Sequence, residues 1–137
     1  MSAPIPTGIA LHRRSATLEL TYDSGAYQLP AELLRVYSPS AEVRGHGPGQ
    51  ETLVTGKAQV AIDAIHPVGN YAIQLVFSDG HDSGLYSWSL LWDLCQHSDH
   101  HWADYLQRLA HAGASRDPEV QVVQLMDPGS KGGLNQR

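Results

Sequence analysis

The sequence predicts an α+β domain in which an antiparallel sheet of five or six strands packs against two C-terminal helices. Large apolar residues recur at every second position from Tyr71 to Phe77, so that Tyr71, Ile73, Leu75 and Phe77 share one face, as in a strand. Asp79-Gly80 follows that strand and is typical of a tight hairpin turn. After Ser87 the apolar residues recur at helical spacing. A strand, a turn and a helix within thirty residues are expected to organise the rest of the fold.

The length of 137 residues is that of a single domain. We expect residues 9–113 to form this domain. Residues 1–8 are expected to be a flexible N-terminus. Residues 114–137 are rich in glycine and polar residues near the end, and we expect a mostly disordered tail there.

The N-terminal part of the domain is predicted to be a β-meander followed by a short helix. Leu18, Leu20 and Tyr22 alternate with polar residues, which indicates one buried strand face. Pro30 fits the first position of a helix, where its missing N–H costs nothing. Ser38-Pro39 ends that helix, because the residue before a proline disfavours the helical conformation.

The central hairpin is predicted to follow a strand that begins near Val60. Asp79-Gly80 would form the two central residues of a type I′ turn, which places His81 opposite Ser78. Gly84 interrupts the alternation of the returning strand, and we expect a β-bulge there.

The two C-terminal helices are predicted from apolar stripes and from residues that favour helix ends. Leu90, Leu91, Leu94 and Cys95 lie on one side of the first helix. Ser98 is the expected N-cap of the second helix, and Gly113 is its expected stop.

The composition excludes several classes of protein. The net charge of −5 gives no electrostatic support for nucleic-acid binding. The single cysteine, Cys95, excludes an internal disulfide and favours a reducing compartment. No apolar run is long enough to span a membrane, and no signal peptide is visible. We expect a cytoplasmic protein, monomeric, with no membrane or nucleic-acid partner.

A glycine-rich stretch at residues 45–51 could cradle a phosphate through its backbone N–H groups. A phosphate-binding loop of the P-loop type requires a Lys-Ser/Thr pair at the start of a helix. Gln50-Glu51 follows instead, so the sequence favours an ordinary loop.

One pair of histidines and one single histidine could bind a metal or transfer a proton. His97 and His101 are four residues apart, the spacing at which two helical side chains can chelate a divalent ion. The alternative is a polar helix face. His81 lies between Asp79 and Asp82 near the turn and could act as a ligand or a general base, or be a structural histidine. No catalytic sequence signature accompanies it.

Three segments together resemble a known family. They are residues 33–43 (Leu-Leu-Arg-Val-Tyr-Ser-Pro-Ser-Ala-Glu-Val), residues 45–50 (Gly-His-Gly-Pro-Gly-Gln) and residues 68–88, which hold Val-Gly-Asn-Tyr and Asp-Gly-His-Asp-Ser-Gly-Leu-Tyr-Ser-Trp. In this order and spacing the chain resembles the gamma-butyrobetaine hydroxylase-like N-terminal domain family, a bacterial domain of unknown function. The resemblance implies a small stand-alone domain without the oxygenase site. It also implies a connection to oxygenases or to ATPases of iron–sulfur cluster assembly, to which similar domains are attached.

The resemblance also implies where a zinc ion would bind and disfavours that ion here. Similar domains in the hydroxylases bind zinc through three cysteines and a histidine. The histidine matches His81, whereas the cysteine positions correspond to Ser38, Ser40 and Val43. Hydroxyl groups and a valine do not replace thiolates on zinc. A hydrogen-bonded substitute formed by Ser38, Ser40, Glu42 and His81 is expected, and no cofactor is predicted.

The function expected from the sequence is that of a non-enzymatic accessory or protein-interaction module. Its contact surface is predicted around Asp79, His81, Asp82, Tyr86 and Trp88, because exposed aromatic residues near a turn are good anchors. Two alternatives remain open. One is a metal-binding protein that uses His81 or the His97–His101 pair, and the other is a small enzyme with His81 as its general base.

Overall fold

The computed structural model describes residues 3–45 and 51–120 of the chain. Within these residues the fold has two three-stranded antiparallel sheets and four helices. In chain order the elements are β1 (Gly8–His12), β2 (Thr17–Tyr22), β3 (Gly25–Pro30), α1 (Ala31–Val36), α2 (Ala41–Arg44), β4 (Ile62–Val68), β5 (Ala72–Phe77), β6 (Leu85–Ser87), α3 (Trp88–Gln96) and α4 (Ser98–Ala112). The α+β class is confirmed.

The strands form two sheets and not the one sheet of five or six strands that the sequence predicted. β1, β2 and β3 are neighbours in the first sheet, and β4, β5 and β6 are neighbours in the second. Within each sheet, every strand pairs with the next along the chain, because short connections keep sequential strands adjacent. The segment between β3 and β4 contains α1 and α2, so these two strands do not meet in one ladder. Buried side chains of both sheets and of α3 nevertheless belong to a single hydrophobic core.

The predicted alternation is confirmed in both sheets. Leu18 and Leu20 of β2 are fully buried, while the alternate residues Thr17, Glu19 and Thr21 are partly exposed. In β5, Ile73, Leu75 and Phe77 are at most 2% exposed, whereas Tyr71, which was predicted on the same face, precedes the strand and is 59% exposed. These side chains form the apolar layer that the helices cover.

The turn after β5 is longer than the sequence predicted. The N–H of Gly80 donates to the carbonyl of Phe77 (3.0 Å), and the N–H of Phe77 donates to the carbonyl of His81 (2.9 Å). The loop therefore has three residues, Ser78, Asp79 and Gly80, with Gly80 at a φ of 88°. A three-residue hairpin places its left-handed glycine third, whereas the predicted type I′ turn requires positive φ at Asp79 as well. The prediction that His81 lies opposite Ser78 was therefore wrong.

Gly84 lies outside β6, which begins at Leu85, so the strand pairing does not test the bulge expected there. The pairing of β4 with β5 shifts register between Ile62 and Ala64. Gly84 has a different role, which concerns the space beside Ser38 and is described below.

The helix ends follow the predictions to within one residue. α1 begins after Pro30, which takes the N-cap position in place of the first helical position. The hydroxyl of Ser87 caps α3 by accepting from the N–H of Leu90 (3.2 Å). His97, and not Ser98, is the residue before α4, since only one residue separates the two helices. Gly113 ends α4 in the left-handed conformation, as predicted.

The described part of the expected tail contacts the domain. The N–H groups of Gly56 and Ala58 donate to the carbonyls of Ser115 and Arg116, both at 2.9 Å. The guanidinium of Arg116 also reaches the carboxylate of Glu32 in α1. Residues 114–118 therefore lie against the domain, and residues 121–137 lie outside the described residues. No helix in the described part of the chain is long and apolar enough to cross a membrane.

Candidate functional site

The polar centre of the domain is a buried hydrogen bond between Ser38 and His81. Ser38 Oγ and His81 Nε2 are 2.8 Å apart, although 43 residues separate them in the sequence. Ser38 follows α1, where the Ser-Pro dipeptide turns the chain, and His81 follows the three-residue turn of the second sheet. Ser38 is fully buried and His81 is 7% exposed. The pair therefore joins the helical segment to the hairpin inside the protein.

Helix α2, which the sequence did not predict, brings a carboxylate and a serine to the same place. Glu42 Oε2 is 3.9 Å from His81 Nδ1. Glu42 Oε1 accepts a hydrogen bond from the hydroxyl of Ser83 (2.8 Å). The N–H of Ser40 donates to Ser38 Oγ (3.3 Å), and Ser40 is itself 6% exposed. Ser38, Ser40, Glu42 and His81, which were expected to form a hydrogen-bonded substitute for a zinc site, thus lie together.

Asp79 forms the second half of the cluster. Its carboxylate is 2.8 Å from Arg35 Nε and 2.6 Å from Lys57 Nζ, and it accepts from the N–H of His81 (3.2 Å). Burial alone would raise the pKa of Asp79, but the hydrogen bonds from Lys57 and Arg35 outweigh burial and lower the pKa to about 2. The carboxylate is therefore charged at every physiological pH, and it fixes the turn to α1.

Replacing Asp79 with asparagine is expected to lower the free energy of unfolding by about 1–2 kcal/mol at neutral pH. The pKa of the carboxyl is lower in the folded protein than its ordinary 3.8. Its stabilising contribution is therefore complete above pH 3.8 and is lost as the pH falls through about 2. Urea unfolding at several pH values checks this. The variant is expected to lose less stability than the wild type over that acid range, and an equal loss in both proteins would contradict the assignment.

The electrostatics of His81 favour its neutral form. Burial lowers the pKa of His81, and the nearby Arg35 lowers it further, whereas the carboxylates of Glu42, Asp79 and Asp82 act in the opposite direction. The carboxylate beside Nδ1 favours a proton on that nitrogen, which leaves Nε2 as the acceptor from Ser38. This pair resembles a nucleophile and its general base. However, the hydroxyl of Ser38 has no exposed surface on which a substrate could meet it.

Two aromatic residues of the predicted contact surface are not exposed anchors. Tyr86 is fully buried, and its hydroxyl donates to the carbonyl of Leu34. Trp88 is half-buried and donates its indole N–H to the carbonyl of Asn70 (2.8 Å). Alternation along β6 explains this, because Tyr86 pairs with Ile73 on the core side of the sheet. Asp82 is exposed, as a contact surface requires.

His97 and His101 both contact Asp93, a residue that was not predicted from the sequence to belong to a site. Asp93 of α3 lies 3.0 Å from His97 Nδ1 and 2.9 Å from His101 Nε2, one carboxylate oxygen for each ring. These contacts lower the pKa of Asp93 although burial would raise it. The four-residue spacing between positions 93 and 97 is the signal that could have indicated the contact.

This arrangement does not place the two imidazoles around one ion. Their ring centres are 6.5 Å apart, and each ring nitrogen faces a different oxygen of Asp93. Among residues 3–45 and 51–120, no group of three His, Cys, Asp or Glu side chains is placed to hold a metal. Metal binding at His97 and His101 would require both rings to turn away from their present partners.

A cleft of about 500 Å³ lies between the segment from α1 to α2 and the helices α3 and α4. Its rim is polar: the hydroxyl of Tyr37 donates to the carbonyl of His101 (2.8 Å) and accepts from Arg108 (3.2 Å). Aliphatic side chains form part of its wall, namely Val36, Val43, Leu90 and Leu94. The apolar wall and polar rim are suited to a small ligand or a side chain of a partner.

The fold and this site define a small α+β domain whose central histidine is held by hydrogen bonds. The chain matches the family described as gamma-butyrobetaine hydroxylase-like, N-terminal, over residues 9–92. This match covers more than half of the chain, so the protein belongs to that family, as the sequence resemblance indicated. No curated protein matches the chain.

Solved structures support the same assignment. Two solution structures determined by NMR are each 52% identical to the chain and cover 91% of it, with TM-scores of 0.77 and 0.73. The chain covers 99% and 94% of these two proteins. A crystal structure of a protein of unknown function from Acidithiobacillus ferrooxidans, of the DUF971 family, is 36% identical, with a TM-score of 0.56. That match covers 68% of this chain and 97% of the other.

Proposed function

We propose that this protein is a non-enzymatic accessory module that acts by binding a protein partner. The observation that carries the proposal is the complete burial of Ser38 beneath a hydrogen bond to His81. These two residues form the arrangement closest to a catalytic pair in the described part of the chain. Because Ser38 and His81 are both buried, the pair is better suited to stabilising the fold than to reacting with a substrate.

The contact surface is proposed at the loop between β5 and β6. Asp82 and Ser83 are exposed, the side chain of Glu42 is 72% exposed, and Leu85 on the edge strand β6 is 46% exposed. An apolar side chain within an acidic rim suits a partner that presents an apolar residue beside basic ones. His81 and Tyr86 lie beneath this surface and hold its shape. The relation of such domains to iron–sulfur and oxygenase systems suggests where the partner functions.

Affinity capture with a tagged protein tests this proposal. A double variant, Asp82→Lys with Leu85→Ser, reverses the charge at position 82 and removes the apolar contact without touching the core. The control is Leu106→Ser, which places the same loss of an apolar side chain on α4, where Leu106 is 40% exposed. We expect wild type and control to retain the same partner and the double variant to lose it. Identical captured proteins for all three would contradict the proposed surface.

The two alternatives make different demands on the molecule. Metal binding at His97 and His101 requires both rings to turn away from Asp93, and a one-to-one zinc complex that a His101→Ala variant abolishes would support it. Catalysis with His81 as general base requires Ser38 to open to solvent. Of the three proposals, the interaction module requires the least change from the observed arrangement.

A further inference from the structure

The positions that would hold zinc in similar domains are brought together in this chain without zinc-binding groups. Ser38 contacts His81, and its hydroxyl accepts from the N–H of Ser40. Val43 is 7% exposed, and its N–H donates to the carbonyl of Ser40 (3.0 Å). Ser38 thus contacts His81 directly, Ser40 contacts Ser38, and Val43 follows Ser40 by one turn, all within six residues of chain.

The side chains present do not fit zinc. A zinc ion is held by thiolates, imidazoles or carboxylates, and a serine hydroxyl stays protonated while valine has no donor atom. Two ligands on one tetrahedral zinc are about 3.6 Å apart, given metal–ligand bonds of about 2.0–2.3 Å. Ser38 Oγ and His81 Nε2 are only 2.8 Å apart, which is closer than two ligands of one zinc ion. The two atoms are therefore at hydrogen-bonding distance and not at the spacing of two zinc ligands.

Two further features distinguish the surroundings of Ser38 and His81. Ser40 Oγ is buried and has no hydrogen-bond partner among the described residues, which leaves a polar atom where a thiolate would act as a ligand. Gly84 approaches from the other side, where an added Cβ would lie 2.5 Å from Ser38 Oγ. Because Gly84 has no side chain, the loop after the turn can pack closely against the hydroxyl of Ser38, which contacts the imidazole of His81.

We infer that Ser38, Ser40, Val43 and His81 form a metal-free clip that keeps the backbone shape of a four-ligand zinc site. In this chain neutral hydrogen bonds, in place of a bound ion, join the end of α1 to the hairpin. Restoring thiolates at the three positions is therefore sufficient to create a Cys₃His site, with His81 as the fourth ligand. This inference concerns the folding of the domain and is independent of its partner.

Cobalt titration of the variant Ser38→Cys/Ser40→Cys/Val43→Cys tests the inference. We expect one Co²⁺ per chain with the visible absorption of a tetrahedral thiolate site, and a higher melting temperature when zinc is added. The matched control adds His81→Ala to the same three changes and is expected to lose the tetrahedral spectrum. A folded triple variant that takes up no cobalt would overturn the inference.

The wild-type protein provides a second, independent measurement. Zinc added to the wild type is expected to leave the imidazole NMR signals of His81 unchanged and the melting temperature unaltered. One bound zinc per chain that shifts these signals would overturn the metal-free clip. If the triple variant folds only in the presence of zinc, that dependence supports the inference. If it does not fold at all, the wild-type titration decides.

Discussion

Replacing Arg116 with alanine is expected to lower the free energy of unfolding by about 2–3 kcal/mol. Glu32 in α1 is 6% exposed, and its carboxylate receives both Nε (2.8 Å) and Nη2 (2.7 Å) of Arg116. Without the guanidinium, a buried carboxylate keeps its charge cost and loses its partner. The exposed fraction of the arginine side chain, 43%, limits the effect to less than that of a fully buried pair. Arg116 also lies over the ring of Trp102, 5.0 Å from its centre.

Chemical denaturation of three variants measures this effect. Arg108→Ala is the matched control, because the side chain of its ion-pair partner Asp104 is 51% exposed and the pair is expected to contribute less than about 1 kcal/mol. Adding Glu32→Gln to Arg116→Ala removes the unpaired charge and is expected to recover part of the loss. A loss below about 1 kcal/mol for Arg116→Ala would show that the segment after α4 does not hold α1 in this way.

Replacing Gly84 with alanine is expected to destabilise the fold by about 1–3 kcal/mol. The added Cβ would lie 2.5 Å from Ser38 Oγ, 3.2 Å from Pro39 Cδ and 3.3 Å from Tyr86 Cε1. Gly84 is not among the glycines of positive φ, so the cost comes from crowding and not from the backbone conformation. Ser38 cannot move aside without losing its hydrogen bond to His81.

A double-mutant cycle separates this crowding from other causes. Gly8→Ala is the matched control, since its added Cβ would make only ordinary contacts with Thr21, the nearest at 3.7 Å. In a Ser38→Ala background, Gly84→Ala is expected to cost less than in the wild type, because the closest clash is gone. Equal costs in both backgrounds would contradict the proposed contact between the loop and the clip.

The local elements of the fold could be predicted from the sequence because their signals are local. Alternation gave β2 and β5, and helical spacing with Gly113 gave α4 and its end. The division into two sheets could not be predicted, because strand pairing depends on how the segment from α1 to β4 folds. The turn length was misjudged for a similar reason. The pair Asp79-Gly80 fits two turn types, and contacts of Asp79 with Arg35 and Lys57 accompany the longer one.

The residues of the candidate site could also be predicted only in part. His81 was identified from its position beside the turn and Ser38 from the family resemblance, and the two are in contact. Lys57, Arg116 and Asp93 were missed, because an isolated charged residue gives no sign of its partner in space. Tyr86 was misplaced because its exposure depends on which face of the short strand β6 meets the core.

The most direct test of a neutral, hydrogen-bonded His81 is an NMR titration of its imidazole nitrogens. The clip predicts a pKa below the ordinary 6.5, with the proton on Nδ1 and Nε2 accepting from Ser38. Because the folded protein resists protonation of His81, the contribution of this residue to stability is complete above pH 6.5 and decreases as the pH falls below it. Ser38→Ala is expected to change the Nε2 shift. An ordinary pKa with both nitrogens exchanging freely, unchanged by Ser38→Ala, would contradict the clip.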